Sequence, residues 1–476
     1  MKKQIFIVFI LFANLLFAQN GNDKYTKLLK DWVNYYDVPS LSAGVASNGK
    51  IVWTGSYGFA DLEFFVPASP QTSYRVASIS KSFTAVAIMQ LVEKGKLKLD
   101  DDIRKYLPQF PKKNWVFTIR QVLNHTSGIR SYKNQAEFDS KVNYETTSDI
   151  IKYLASDTLE YEPGTKYLYS TLSYNILAAI IENVTGLYFD EYLKRNIFEP
   201  AGMKNSYLDY YNQIIPMRAS MYTRNKKRVI ENAPLVDHTF KFPGGGIISS
   251  IEDLLKFGSS LLNNTLLKQA TIDSMLKPTI LPSGEKRNYG LGFSFSSEES
   301  KRYYFGHTGS WHSSDLQIYP KEKVVVVHLM NFRDRNPDNP SIALAHLNFK
   351  DSVEYIKKPV SDMFFNVTTK FGIDSVLKLY EVIQQDSNYN FSKREWMYLA
   401  NDLLVNNFNQ DAIITYTKIL EEFPESADVY LGLANAYLKD KNEGLALKNF
   451  RKVLLLDPKN LQANNQVKKL TGGQVN

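Results

Sequence analysis

Apolar positions recur along this chain with more than one period, and the change of period divides it. From Asp23 to Tyr36, the residues Leu28, Leu29, Trp32 and Tyr36 fall at helical spacing, with Asp23 placed as a cap. Leu41–Ala46 and Ile51–Tyr57 are then apolar runs of strand length, joined at Asn48-Gly49, a strong hairpin turn. Strand signals return at 316–319 and 324–329, around the turn Pro320-Lys321-Glu322. Between these ends the sequence is mostly helical, with Pro/Gly loops. This pattern predicts an α+β fold in which one antiparallel sheet is closed by the two termini of the segment and carries a helical insertion.

From about residue 351 polar helical sequence takes over, and an internal repeat follows. Leu399, Ala400, Ala412, Tyr416, Leu420 and Pro424 recur as Leu433, Ala434, Ala446, Phe450, Leu454 and Pro458, each shifted by 34 positions. That period, with small residues where helices cross and Pro after the second helix, resembles the tetratricopeptide repeat. An earlier helix within 371–390 is expected to join the stack. The predicted organisation is an export signal at 1–18, an α+β domain at 19–350, a helical linker at 351–392 and all-α repeats at 393–476.

At 476 residues two or three domains are expected, and 44% hydrophobic with 22% charged content is ordinary for a globular chain. The net charge of +8 comes without a dense Lys/Arg run or a nucleic-acid motif, so no nucleic-acid partner is expected. The absence of cysteine excludes disulfides, thiolate catalysis and cysteine-ligated zinc. Met1-Lys2-Lys3, the apolar run Ile5–Phe17 and then Ala18 read as a cleaved secretory signal, too short to span a bilayer. The expected product is exported, periplasmic or secreted, without a membrane span after cleavage. None of the six histidines has defensible metal-ligand spacing, so neither a metal nor another cofactor is expected.

Candidate chemistry rests on separated stretches. Ser-x-x-Lys occurs five times, starting at Ser47, Ser78, Ser274, Ser283 and Ser375. Only Ser78 follows an extended segment, Ser73–Val76, and opens a helix, Lys81–Glu93, which reads as amphipathic and stops at Gly95. Residues three apart on a helix share a face, so Lys81 can reach the Ser78 hydroxyl. A desolvated lysine with a lowered pKa can take the proton that makes serine a nucleophile. Tyr169 lies on a loop between Pro163-Gly164 and the helix at 174–184, where a tyrosinate beside an ammonium could serve as general base. His307-Thr308-Gly309-Ser310 ends an aromatic strand at a glycine, where a ligand can approach the backbone. His125 reads as a hydrogen bonder that fixes a loop.

Taken together, Ser78-x-x-Lys81, Tyr169-x-Thr171 and His307-Thr308-Gly309 resemble the motifs of the serine β-lactamase and penicillin-binding-protein superfamily, in particular the class C β-lactamase-like serine hydrolases. Residues from about 22 to 335 carry the resemblance. It implies that Ser78 is acylated, with Lys81 and Tyr169 handling its proton. It further implies an oxyanion hole from the backbone N–H groups of Ser78 and Ser310, and substrate contacts at Thr171, His307, Thr308 and Gly309. The sequence departs from the pattern at Thr171, where Asn is usual, and at His307, where the β-lactamases have Lys. Both departures point to an esterase or peptidase rather than an efficient β-lactamase. The substrate would be a small molecule or peptide, with a protein or peptide partner for the repeats. The competing reading is a non-catalytic binding protein, a decayed hydrolase domain joined to a repeat interaction module.

Overall fold

The computed structural model describes residues 23–296, 301–334, 338–351 and 356–472, so the expected signal at 1–18 lies outside the described residues. Two compact units form, one from 23–223 with 232–351 and one from 224–231 with 356–472.

In the first unit, helix α1 (Asp23–Tyr36) leads into strands β1 (Ser40–Ser47), β2 (Lys50–Asp61) and β3 (Val66–Pro67). The hairpin turns at Asn48 and Gly49, with φ of 51° and 76°, the left-handed pair that a two-residue hairpin of matching twist requires. Helices α2 (Ser80–Glu93), α3 (Tyr174–Thr185) and α4 (Ile251–Leu262) follow, then strands β4 (Ser294–Phe295), β5 (Phe305–Thr308), β6 (Ser314–Tyr319) and β7 (Val324–Met330), and helix α5 (Pro340–Asn348). The seven strands form one sheet in the order β4-β5-β6-β7-β1-β2-β3. First and last strands of the segment therefore meet, antiparallel, with Leu41 opposite Met330 and Ser47 opposite Val324. Leu29 of α1 lies over Gly55, and Ile251 and Leu255 of α4 lie over Gly44. Because Gly44 and Gly55 point to opposite faces, the sheet is covered on both sides, and every residue of β7 is buried.

Helix α2 corrects one expectation. It is not amphipathic in its setting, since every residue from Ser80 to Leu91 is buried. Its polar positions are satisfied internally: Ser82 Oγ donates to Gly292 O at 2.9 Å and Thr84 Oγ1 to Pro243 O at 2.7 Å. Gln90 Nε2 donates to Asn196 O at 2.9 Å. A face that reads as solvated is thus an interior hydrogen-bonding surface.

The second unit is helical: α6 (Ser361–Phe371), α7 (Ile373–Ile383), α8 (Lys393–Val405), α9 (Asn409–Glu422), α10 (Ala427–Lys439), α11 (Glu443–Leu456) and α12 (Leu461–Leu470). Helix starts shift by 34 from α8 to α10 (393 to 427) and from α9 to α11 (409 to 443). Leu399, Ala400, Ala412 and Tyr416 are buried, and so are their counterparts Leu433, Ala434, Ala446 and Phe450. No helix among the described residues is long and apolar enough to cross a membrane.

Candidate active site

The short strand Tyr74–Arg75 runs into a 3-10 turn, Ala77–Ile79, which continues as α2. Ala77 has a φ of +46°, a conformation a non-glycine residue adopts at a cost of order 1–3 kcal/mol. The turn is held from two sides. Ser314 Oγ donates to Val76 O at 2.8 Å, while the Ile247 N–H donates to Ser80 Oγ at 3.1 Å. Ser78 is thereby presented, half-buried, at the wall of a cleft with about 70 Å³ of free volume.

Lys81 is fully buried. Its Nζ lies 2.6 Å from Gly244 O, 3.1 Å from Thr171 Oγ1 and 3.2 Å from Ser78 Oγ. Burial, and secondarily the charge of Lys241, hold its pKa well below that of an ordinary lysine. A neutral amine has two N–H donors and one lone pair. Gly244 O can only accept, so it takes one N–H; Thr171 Oγ1 takes the second, and the lone pair is left for the Ser78 hydroxyl. Gly244 is required here, because a Cβ on it would lie 2.5 Å from Thr171 O. The Thr171 hydroxyl in turn hydrogen bonds to Tyr132.

Tyr169 sits on the loop before α3, with its ring centroid 4.6 Å from Lys81 Nζ. Burial pushes its phenol up, with its hydrogen-bond contact with Ser78 pulling the other way. The low-dielectric site disfavours the charged form of both groups, which runs against a tyrosinate at Tyr169 and favours a free amine at Lys81. His307 Nδ1–H donates to Thr308 O at 2.9 Å, which leaves Nε2 to accept from Tyr289 Oη at 3.1 Å and Tyr169 Oη at 3.5 Å. Burial, then Lys81, push the His307 pKa down to about 3, so the ring carries no charge at neutral pH. His125 performs the loop-fixing role: its Nδ1 accepts from the Ser170 N–H at 3.3 Å, and its ring packs 4.3 Å from that of Tyr169.

The segment after β5 closes the site. A Cβ on Gly309 would lie 2.1 Å from Ser314 Oγ and 3.1 Å from Ala77 Cβ, so only glycine lets it lie against the Ser78 turn. Ser310 lines the same cleft as Ser78 and Thr171, followed by Trp311 and His312 at φ of 56° and 49°. Thr308 is turned elsewhere, its hydroxyl donating to Asp315 at 2.9 Å. Tyr132, Lys241, His238 and Tyr289 are the site residues that motif reasoning missed. Tyr289 lies in the stretch Tyr-Gly-Leu-Gly-Phe at 289–293, and nothing in the sequence marks the other three off from packing or surface residues. No cluster of three or more His, Asp or Glu suited to a metal occurs among the described residues.

With this geometry in hand, the comparisons with known proteins are specific. Residues 25–349 match the family model described as Beta-lactamase. The chain is similar to the human mitochondrial serine beta-lactamase-like protein LACTB, 29% identical over 60% of this chain and 69% of that protein. It is also similar to penicillin-binding protein 4* of Bacillus subtilis, 29% identical over 66% of this chain and 73% of that one. Among solved structures, the octameric penicillin-binding-protein homologue from Pyrococcus abyssi superposes with a TM-score of 0.61 at 26% identity, covering 73% of this chain and 81% of that one. A buried lysine facing a strained serine turn, on a sheet of this order and with a family match across that whole unit, leads to one conclusion: the chain belongs to the beta-lactamase family and carries its serine-hydrolase fold.

Proposed function

We propose that the chain is an exported serine hydrolase that cleaves an ester or amide through an acyl-enzyme on Ser78. The observation that carries this reading is the buried Lys81 Nζ, 3.2 Å from Ser78 Oγ with Gly244 O and Thr171 Oγ1 as its other partners, an arrangement that turns the lone pair of a neutral amine toward the serine. In the first step the Ser78 proton moves to Lys81 Nζ and Oγ bonds to the substrate carbonyl carbon. The carbonyl electron pair goes to oxygen, which is held by the N–H groups of Ser78 and Ser310, donors worth roughly 2.7–4 kcal/mol each in such sites. The tetrahedral species collapses as Tyr169 gives its proton to the leaving group, and the Lys81 ammonium restores the phenol. Water then attacks the acyl carbon by the reverse relay and frees the acid and Ser78.

The neutral His307 supports an esterase or peptidase rather than an efficient β-lactamase, because it offers no permanent charge where a lysine would bind the substrate carboxylate. The second unit, with its 34-residue shift, is read as tetratricopeptide-like repeats that hold a protein or peptide partner. Intact-mass spectrometry with a fluorophosphonate and an activated ester, beside Ser78→Ala, tests the reading. A single adduct and ester turnover, both lost in Ser78→Ala, are expected. A folded protein that takes no adduct would contradict it and favour the binding-protein reading.

A further inference from the structure

Beyond Ser78 the cleft is lined by cationic and aromatic groups that the reaction above does not use, among them Lys241, His238, Arg333 and Arg75. Each arginine has its own carboxylate. Arg75 Nε lies 2.6 Å from Asp209, and Arg333 lies 2.6 Å from Asp139. Lys241 differs. It is 5% exposed, yet no carboxylate lies within ion-pair distance of it among the described residues. Its ammonium donates to Phe138 O at 3.0 Å and otherwise faces the rings of Phe138 and Phe240, 4.4 and 4.9 Å from their centroids. His238, 8% exposed, has no hydrogen-bond partner on either ring nitrogen, and its nearest carboxylate, on Asp209, is 3.8 Å away. Two residues three apart in one segment thus bring donors with unused hydrogen-bonding capacity, one of them cationic, to the wall of a cleft that also contains Ser78.

We propose that Lys241 and His238 form a subsite for a carboxylate on the acyl portion of the substrate. One oxygen pairs with the Lys241 ammonium and the other accepts from the His238 N–H, which satisfies both donors with a single negative charge. The acyl portion is the part concerned, because Tyr169 and His307, toward which the leaving group departs, do not line this cleft. Tyr132, Phe138 and Trp311 in the cleft wall supply apolar surface for the short chain between carboxylate and scissile carbonyl. Burial, then Arg333, lower the Lys241 pKa to about 7, so an anion in the cleft would draw a proton back onto it.

This inference rests on the hydrolase reading, and its test separates the two. Hydrolysis of the 4-nitrophenyl ester of glutarate is compared with that of its methyl-capped, neutral counterpart, each corrected for the Ser78→Ala blank. The anionic ester is expected to have a kcat/KM about 10- to 100-fold higher, as for a charge-assisted hydrogen bond in a desolvated site. Lys241→Met should bring that ratio toward one, and Lys241→Arg should retain a preference for the anion. If Lys241→Met does not fold, His238→Asn carries the same comparison with a smaller expected drop. A wild-type ratio at or below one, with Ser78-dependent turnover of the neutral ester, overturns the subsite and leaves the hydrolase standing. Failure of both esters to acylate Ser78 overturns both.

Discussion

The two units differ in what their interiors are made of. All six histidines of the chain lie in the first unit, and four of them, His125, His238, His307 and His328, are buried there with Lys81 and Lys241. The interior of the second unit is Leu, Ala, Val, Ile and aromatic rings, with few buried polar groups, such as Glu395 and Thr415. Burying an ionisable side chain in its neutral form gives up hydration that the unfolded chain retains, whereas burying apolar surface gains free energy directly. The first unit therefore bears a larger stability cost, to hold reactive groups in low dielectric, than the second, where Glu395 is buried. Chemistry and stability are drawn from different residues.

The largest effect expected from separating them is at Lys81. Lys81→Met should lower kcat/KM for an activated ester roughly 10²–10⁴-fold. The stability of the first unit should fall by no more than about 1–3 kcal/mol, because removal of a desolvated amine offsets part of the cost of leaving Gly244 O and Thr171 Oγ1 without their donor. A loss of stability in step with activity, seen by denaturant titration, would break the comparison.

Acid should distinguish the units next. The His307 and His328 pKa values are lowered to about 3 and about 4, and those of His125 and His238 lie well below the ordinary value, in every case chiefly by burial. Below about pH 6.5 the unfolded chain takes up protons that the folded unit refuses, so stability falls as pH falls. Between pH 7 and pH 5 the first unit should lose several kcal/mol, at about 1.4 kcal/mol per proton per pH unit. Residues 393–470 contain no histidine and should keep their hydrogen-exchange protection over that range.

A cavity in the second unit gives a somewhat smaller effect of the opposite character. Phe450→Ala should cost about 3–5 kcal/mol in the exchange protection of 427–470, equally at pH 5 and pH 7. The smallest effect is expected at Thr171→Val, which removes the acceptor for one Lys81 N–H. The freed donor competes with the lone pair for Ser78, and ester hydrolysis should fall about tenfold.

Much of this division was legible in the sequence. The pairing of the segment's first and last strands followed from apolar runs at its two ends, because a buried strand needs apolar residues whatever surrounds it. The 34-residue shift reappeared in the helix starts, since repeated packing imposes a repeated sequence. Ser78, Lys81, Tyr169 and His307 could be singled out by spacing and flanking elements, and Thr171 through the family resemblance, and the structure brings them within reach of one another. Other features had no local signal. The polar face of α2 reads as solvated until the carbonyls of Gly292, Pro243 and Asn196 are seen to receive it. The charge state of Tyr169 depends on burial by residues far away in the chain, as does that of Lys81. Lys241 and His238 resemble ordinary polar residues until the cleft beside them is seen.

The central claim is that Lys81 is a neutral amine when it meets Ser78, with Tyr169 protonated beside it. The most direct test is the pH dependence of Ser78 acylation by a neutral fluorophosphonate, followed by intact mass. The account predicts a rate that rises through a single group titrating well below the lysine value near 10.5 and then stays level through pH 9 to 10. A rate that keeps rising to pH 10 and beyond, as an ordinary lysine or a tyrosinate base would give, would contradict it.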